Sequence, residues 1–151
     1  NMSREGFRQL YEQIPGNKPD FNEVWRITGG NPKLLGRLYE VNWDVGRLIT
    51  GLIEERGVDA FIASLSSEKR HLLAEAIDDP DALFTKEGIP LMNKLIRLNL
   101  AIKIPQWRDE PLWIDQPPPE RDPELGIGKY VAWQTPLHRE AIKKALQETT
   151  Q

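Results

Sequence analysis

Residues 28–35 read Thr-Gly-Gly-Asn-Pro-Lys-Leu-Leu, and this stretch carries the clearest local structural signal of the chain. The two glycines end one helix, Asn31 is a favourable N-cap residue, and Pro32 suits the first helical position because its missing N–H is not needed there. A helix N-terminus presents unpaired N–H groups and a positive dipole, and glycine lets a ligand approach the backbone closely. The stretch predicts a corner between two helices that is either purely structural or part of a site for a polar ligand.

Apolar residues before and after this corner recur with the period of an α-helix. Asp20 and Asp44 stand where N-caps are expected, and Pro15-Gly16 stops the first periodic segment. The predicted helices run over residues 4–14, from residue 21 to the glycines, from residue 32 and from residue 45. We therefore predict a helical bundle over residues 1–57.

The second half of the chain has a different order of elements. It is predicted to contain three helices (58–65, 66–78 and 89–99), a strand (100–104), a long polar loop, a returning strand (130–133) and a last helix from Thr135-Pro136 through Leu146. This order is that of a winged helix. The predicted fold class is mainly α, with the bundle of residues 1–57 followed by a winged-helix domain with a small β wing over residues 58–151.

The composition excludes several classes of function. The 151 residues contain no cysteine, so no disulfide framework, cysteine zinc site or thiol nucleophile is available. No Walker A sequence is present, and the two histidines, His71 and His138, have no metalloprotease spacing. The Asp78-Asp79-Pro80-Asp81 stretch is best interpreted as a helix end followed by an N-cap rather than as a cation site. We expect neither catalytic nor metal-binding residues, a cytoplasmic location without membrane contact, and, from the charge-rich composition with 12 prolines, a thermophilic source.

The net charge is −3, but the charges are unevenly distributed. Residues 89–108 carry four basic side chains and no acidic one, whereas residues 109–124 have a net charge of −5. The helix predicted over 89–99 stands where a winged helix keeps its recognition helix. The candidate DNA contacts are Asn93, Lys94, Arg97, Lys103 and Arg108. Many apolar residues on the same helix and the acidic loop after it favour a packing or protein-contact role at least as strongly.

Two motifs resemble the archaeal ATPase family, within the AAA-like and STAND nucleotide switches. The first is Phe21-x-x-Val24-Trp25-x-x-Thr28-Gly29-Gly30-Asn31-Pro32-Lys33-x-Leu35, which is similar to the lid of that family. The second is Tyr130-Val131-Ala132-Trp133-Gln134-Thr135-Pro136-Leu137-x-Arg139-Glu140-Ala141, which is similar to the closing segment of the family's winged helix. The resemblance covers only the C-terminal part of the family, so the chain is either a piece of a longer protein or the product of a truncated gene.

The resemblance implies a nucleotide site that this chain completes only together with another domain. Gly30 and Pro32 would touch the adenine and ribose side of the nucleotide. Lys33 stands where related lids often carry an arginine that senses the terminal phosphate, and lysine lacks the bidentate fork of arginine. The chain alone would hold no cofactor, and the intact ATPase would hold ATP or ADP with Mg.

The resemblance also implies an ATPase core domain, in cis or in trans, as the partner of this chain. We expect no hydrolysis by the chain alone. Two other classes remain: a stand-alone winged-helix regulator that binds double-stranded DNA, and an interaction module that docks on an ATPase or another protein.

Overall fold

Eight α-helices and one two-stranded sheet form the regular structure of the chain in a computed structural model, which describes residues 2–104 and 121–149. The helices are α1 Arg4–Glu12, α2 Phe21–Thr28, α3 Pro32–Glu40, α4 Val45–Arg56, α5 Val58–Ala63, α6 Ser67–Asp78, α7 Ile89–Arg97 and α8 Pro136–Thr149. The strands β1 Ala101–Lys103 and β2 Val131–Trp133 are antiparallel, with Ala101 opposite Trp133. The predicted mainly helical class with a small sheet is confirmed. Within the described ranges, no helix has both the length and the apolarity needed to cross a membrane.

The N-terminal ends of several helices follow from short polar side chains in the sequence. Asp20, Asn31 and Asp44 each accept hydrogen bonds from backbone N–H groups of the helix that follows, as their positions predicted. Ser66 does the same for α6. Because the first N–H groups of a helix have no partner within it, each such cap removes a local cost and fixes where the helix begins.

Some C-terminal ends differ from the prediction. Helices α1, α5 and α7 each end two residues before their predicted limits, whereas α8 continues three residues beyond Leu146. At the end of α7, Asn99 has φ of 56°, and the N–H of Leu100 donates to the carbonyl oxygen of Leu95 at 2.9 Å. This left-handed residue turns the backbone out of the helix, although the apolar side chains of the segment still follow the helical period.

One large apolar cluster joins elements from both halves of the chain. It contains Leu38 and Leu52 from the first half together with Ile62, Leu95 and Ile142 from the second. Helix α8 lies at its centre and packs against α2, α4, α5 and α6. The division at residue 57 stays a prediction, and the two predicted parts share this core.

A smaller aromatic cluster fixes the N-terminal helices against the corner. Phe7, Phe21, Val24 and Leu35 are buried in it, and the rings of Phe7 and Trp25 meet edge to face with centroids 5.6 Å apart. Such contacts add to the stabilisation from apolar burial alone. Helices α1, α2 and α3 are therefore held together around residues 28–35.

The carboxylate of Asp81 holds the chain that leads into β2. It accepts hydrogen bonds from the backbone N–H groups of Lys129, Tyr130 and Val131 at 2.7, 2.8 and 3.2 Å. Gly128 has no side chain where this carboxylate approaches, and a Cβ there would collide with it. The acidic stretch after α6 thus forms the expected helix end, since Asp79 caps a 3-10 turn over Pro80–Leu83, and Asp81 has a further structural role that the sequence did not indicate.

Candidate functional site

The corner at residues 29–32 is formed with its hydrogen-bond donors already paired. Gly29 and Gly30 have φ of 63° and 83°, the left-handed conformations for which glycine is suited. The Asn31 side-chain oxygen accepts from the N–H groups of Lys33 and Leu34 at 2.9 and 3.2 Å, and the Asn31 carbonyl oxygen accepts from Leu35 at 3.2 Å. Pro32 has no N–H. The first turn of α3 therefore presents no unpaired backbone donor, and the phosphate-holding capacity expected from its N–H groups is used by Asn31.

The space beside Gly30 is filled by the chain itself. A Cβ at Gly30 would lie 2.8 Å from the ring of Trp25 and 2.9 Å from the carbonyl oxygen of Met2. The N–H of Met2 also donates to the carbonyl oxygen of Gly30 at 2.9 Å. Of the three residues predicted to touch nucleotide, Gly30 is buried, whereas Pro32 and Lys33 are exposed. The close approach that glycine permits is used here for packing.

A polar pocket of about 190 Å³, here called the corner pocket, lies between the start of α3 and the start of α8. Its polar lining consists of Asn31, Lys33, Arg37, Arg56, Asn99, Gln134 and His138. The first sequence motif supplies the first two of these residues, and the second motif supplies Gln134, with His138 at its unspecified position. The two motifs, about 100 residues apart in sequence, therefore meet at one site.

The corner pocket is positively charged. Lys33, Arg37 and Arg56 line it, and among residues 2–104 and 121–149 no acidic residue does. The guanidinium of Arg37 forms a bidentate pair with the Glu55 carboxylate, with N–O distances of 2.9 and 3.1 Å. This pair neutralises one of the three cations, so the charge that remains at the pocket is that of Lys33 and Arg56.

His138 is 3% exposed and stands in the first turn of α8. Its Nδ1 lies 2.7 Å from the hydroxyl oxygen of Thr135, which also accepts from the backbone N–H of His138 at 3.3 Å. Burial, followed by the neighbouring Arg56 and Arg37 guanidiniums, lowers the pKa of His138 to about 4. The ring is therefore neutral at pH 7.

Two buried nitrogen atoms at the corner pocket have no protein partner among the described residues: Nε2 of His138 and Nε of Arg56. Buried polar atoms are nearly always hydrogen-bonded, because leaving one unpaired costs about 1–3 kcal/mol. Because Arg56 and His138 both line the positively charged pocket, these two side chains are candidate ligand contacts.

The candidate DNA contacts lie on β1 and on the polar face of α7, which is opposite the face that packs in the core. Asn93, Lys94, Arg97 and Lys103 are all exposed, and the Lys94 Nζ is 6.0 Å from the centroid of the Phe61 ring. Arg108 lies outside the described residues. The other face of α7 is buried in the core, as the apolar residues of this helix predicted. The structure thus leaves four of the five side chains accessible to a partner.

The fold and the site define a mainly helical protein with a positively charged pocket between two sequence motifs. A family described as ATPase domains predominantly from Archaea matches residues 1–38, which is about a quarter of the chain. The matched segment contains α1, α2, the corner and the larger part of α3. No curated protein and no solved structure matches the chain significantly. The match supports a relationship of this segment to the archaeal ATPases and does not extend to residues 39–151.

Sequence reasoning missed most of the corner pocket. Arg37, Arg56 and Asn99 come from three different helices or their ends, and no local pattern connects them. His138 had a local signal, because Thr135 stands at the N-cap position three residues before it. A threonine cap can hold a histidine of the first turn in a fixed orientation.

Proposed function

We propose that the chain is the C-terminal regulatory part of an archaeal-type P-loop ATPase. Residues 1–57 would form its helical lid and residues 58–151 its winged helix. The observation that carries this proposal is the family match over residues 1–38, which includes the corner at residues 29–32. The second motif supports it, since its Gln134 meets the first motif at the corner pocket.

In this proposal the lid closes over a nucleotide that a separate ATPase core domain binds with Mg. Pro32 and Lys33 are exposed at the start of α3, so a nucleotide can reach them. Gly30 acts indirectly, since its missing side chain lets Trp25 pack under the corner. Lys33 supplies a point charge to a phosphate rather than a bidentate pair.

The winged-helix assignment for residues 58–151 is supported by the order α5, α6, α7, β1, β2 and α8. In this arrangement α7 is the recognition helix and β1 and β2 belong to the wing. Because α8 packs on both α4 and α5, closure of the lid would move the winged helix with it. The nucleotide state would then set which face of the winged helix a partner reaches.

The proposal is tested by adding this chain to an archaeal-type ATPase core domain and titrating a fluorescent ADP analogue. We expect the chain to tighten nucleotide binding by the core, and Lys33→Ala to reduce this effect. Arg47→Ala is the matched control, because Arg47 is an exposed cation of α4 that does not line the corner pocket. If the chain leaves the affinity of the core unchanged, the lid assignment is wrong.

The chain alone is expected not to hydrolyse ATP, since its sequence contains no Walker A motif. The measurement is steady-state phosphate release by the purified chain, compared with that of Lys33→Ala. Release that exceeds the buffer blank and is lost in the variant would show that the chain has machinery of its own.

A second candidate function, binding of double-stranded DNA, is favoured by the exposure of Asn93, Lys94, Arg97 and Lys103. If the four basic residues between 89 and 108 all contacted phosphates, the log–log slope of affinity against salt would be about −4. Replacing Lys94 and Arg97 by glutamine should flatten this slope by about 2 and weaken binding.

The control for the DNA measurement is a double substitution of exposed cations elsewhere, Arg26→Gln with Arg47→Gln, which removes the same charge from α2 and α4. An equal loss of DNA affinity in both double variants would show that binding depends on net charge and not on this face of α7. Absence of duplex binding at low salt would eliminate the DNA alternative.

The interaction-module alternative has less support, since Tyr39 is the one large hydrophobic residue among the described residues of the lid that is exposed.

A further inference from the structure

We propose that the corner pocket binds a small oxyanion of the phosphate or sulfate class, held between α3 and α4 on one side and α8 on the other. The site belongs entirely to this chain. It therefore does not depend on an ATPase core domain, and it stands or falls separately from the function proposed above.

The first support is the charge of the pocket. Lys33 and Arg56 line it without an acidic partner in the described part of the lining, and Arg37 adds a guanidinium whose charge Glu55 balances. Two uncompensated cations beside a buried neutral ring repel a cation and attract an anion. Arginine and lysine are also the side chains that make the strongest hydrogen bonds to oxyanions.

The second support is an unpaired donor. Nε of Arg56 is a donor in every protonation state. It is buried and lacks a protein acceptor within the described part of the chain, so a group that completes its hydrogen bonding must be an acceptor. Nε2 of His138 also lacks a protein partner there, and it carries the ring hydrogen when the Thr135 hydroxyl, 2.7 Å from Nδ1, donates to Nδ1.

The size of the pocket restricts the ligand to a small group. A volume of about 190 Å³ accommodates a tetrahedral oxyanion with a few waters, since one water takes about 30 Å³ of liquid volume. Sites for larger organic ligands are usually about 300–1,000 Å³. A whole nucleotide is therefore too large for the corner pocket, although a phosphate group at its end is not.

The third support is that one side-chain oxygen of the lining, an acceptor that could hold a cation, is already used. The Asn31 side-chain oxygen accepts two backbone N–H groups of α3 and is not available to a ligand. Its amide nitrogen and that of Gln134 remain as donors on the pocket wall. The pocket thus offers donors from α3, α4 and α8 to one acceptor-rich group.

The test is isothermal titration of the chain with inorganic phosphate and with sulfate, at constant ionic strength against chloride. We expect saturable binding of one anion per chain, weakened at least about tenfold in Arg56→Gln, because a charge-assisted hydrogen bond contributes more than a neutral one. Arg47→Gln, which removes an exposed cation from the same helix, should bind like the wild type. Absence of binding by the wild type, or equal weakening in both variants, would overturn the proposal.

A second measurement covers the case in which Arg56→Gln fails to fold. In the wild-type chain, the ring resonances of His138 should shift on addition of phosphate, whereas those of the exposed His71 should not. Phosphate-induced shifts at neither ring, or equal shifts at both, would contradict the site. A parallel titration with ATP distinguishes the source of the phosphate group: shifts of the His138 ring at lower concentrations of ATP than of inorganic phosphate indicate a nucleotide, and the reverse indicates a free anion.

Discussion

Acid should destabilise this chain through His138, and the structure gives the size of the effect. The ring is 3% exposed, and its pKa is lowered from 6.5 to about 4 by burial and by the Arg56 and Arg37 guanidiniums, against a smaller opposing effect of Glu55. The unfolded chain binds a proton below about pH 6.5 that the folded chain refuses until about pH 4. The stabilisation is therefore complete above pH 6.5 and is lost as the pH falls. At about 1.4 kcal/mol per pH unit, the loss is about 2 kcal/mol at pH 5 and about 3 kcal/mol below pH 4.

The measurement is urea denaturation of the wild type and of His138→Gln between pH 7.5 and pH 5. Carboxylates that titrate in this range affect both proteins alike, so the contribution of His138 is the difference between their pH dependences. We expect the wild type to lose about 2 kcal/mol more than the variant. His71→Gln is the control, because the side chain of His71 is 80% exposed, and it should follow the wild type. Parallel curves for wild type and His138→Gln would show that the ring is solvated or already charged. The buffers should contain no phosphate or sulfate, since an anion in the corner pocket would favour the charged ring.

Three further substitutions test the contacts that position the site. Asp81→Asn should lower the free energy of unfolding by about 2 kcal/mol, because in the wild type one charged carboxylate accepts from three N–H groups. An unchanged urea midpoint in the variant would contradict that role. Gly30→Ala should lower the free energy of unfolding by about 1–3 kcal/mol, since its Cβ would meet an indole ring at 2.8 Å and its φ is 83°. The control Gly36→Ala, which has open space around its Cβ in α3, should be neutral or stabilising by up to about 1 kcal/mol. An equal loss of stability in both variants would refute the steric reason. Arg56→Gln should raise the pKa of His138, measured by NMR titration of the ring, and no upward shift would show that the guanidinium does not face it.

Much of the fold was predictable because its signals are local. The caps at Asp20, Asn31 and Asp44 depend on one side chain and the next three backbone groups, and each was found where expected. The ends of α1, α5 and α7 were less accurate, because apolar periodicity continues past the residue at which the backbone turns. At Asn99 the left-handed conformation ends the helix, and an asparagine at this position is a local signal that apolar periodicity does not include.

The site was less predictable because it is tertiary. The corner itself was recognised, and the ligand donors were expected from its backbone N–H groups. Asn31 occupies those groups, and the unpaired nitrogen atoms are instead in the side chains of Arg56 and His138, which belong to helices 80 residues apart. A capping residue strong enough to make the helix start recognisable is the same residue that removes its free N–H groups. A well-capped helix start is therefore a poor predictor of backbone anion binding.

The meeting of the two motifs at one pocket gives their joint presence a physical reason within this chain. Lys33 comes from the first motif and Gln134 from the second, and both line the corner pocket. An anion held there contacts both, so it stabilises the state in which α3 and α4 lie against α8 and not a state in which they separate. If the lid proposal is right, opening the lid without its winged helix would require that anion to leave. If the lid proposal is wrong, the same pocket still ties the N-terminal helices to the C-terminal one, and anion binding should persist in the chain alone.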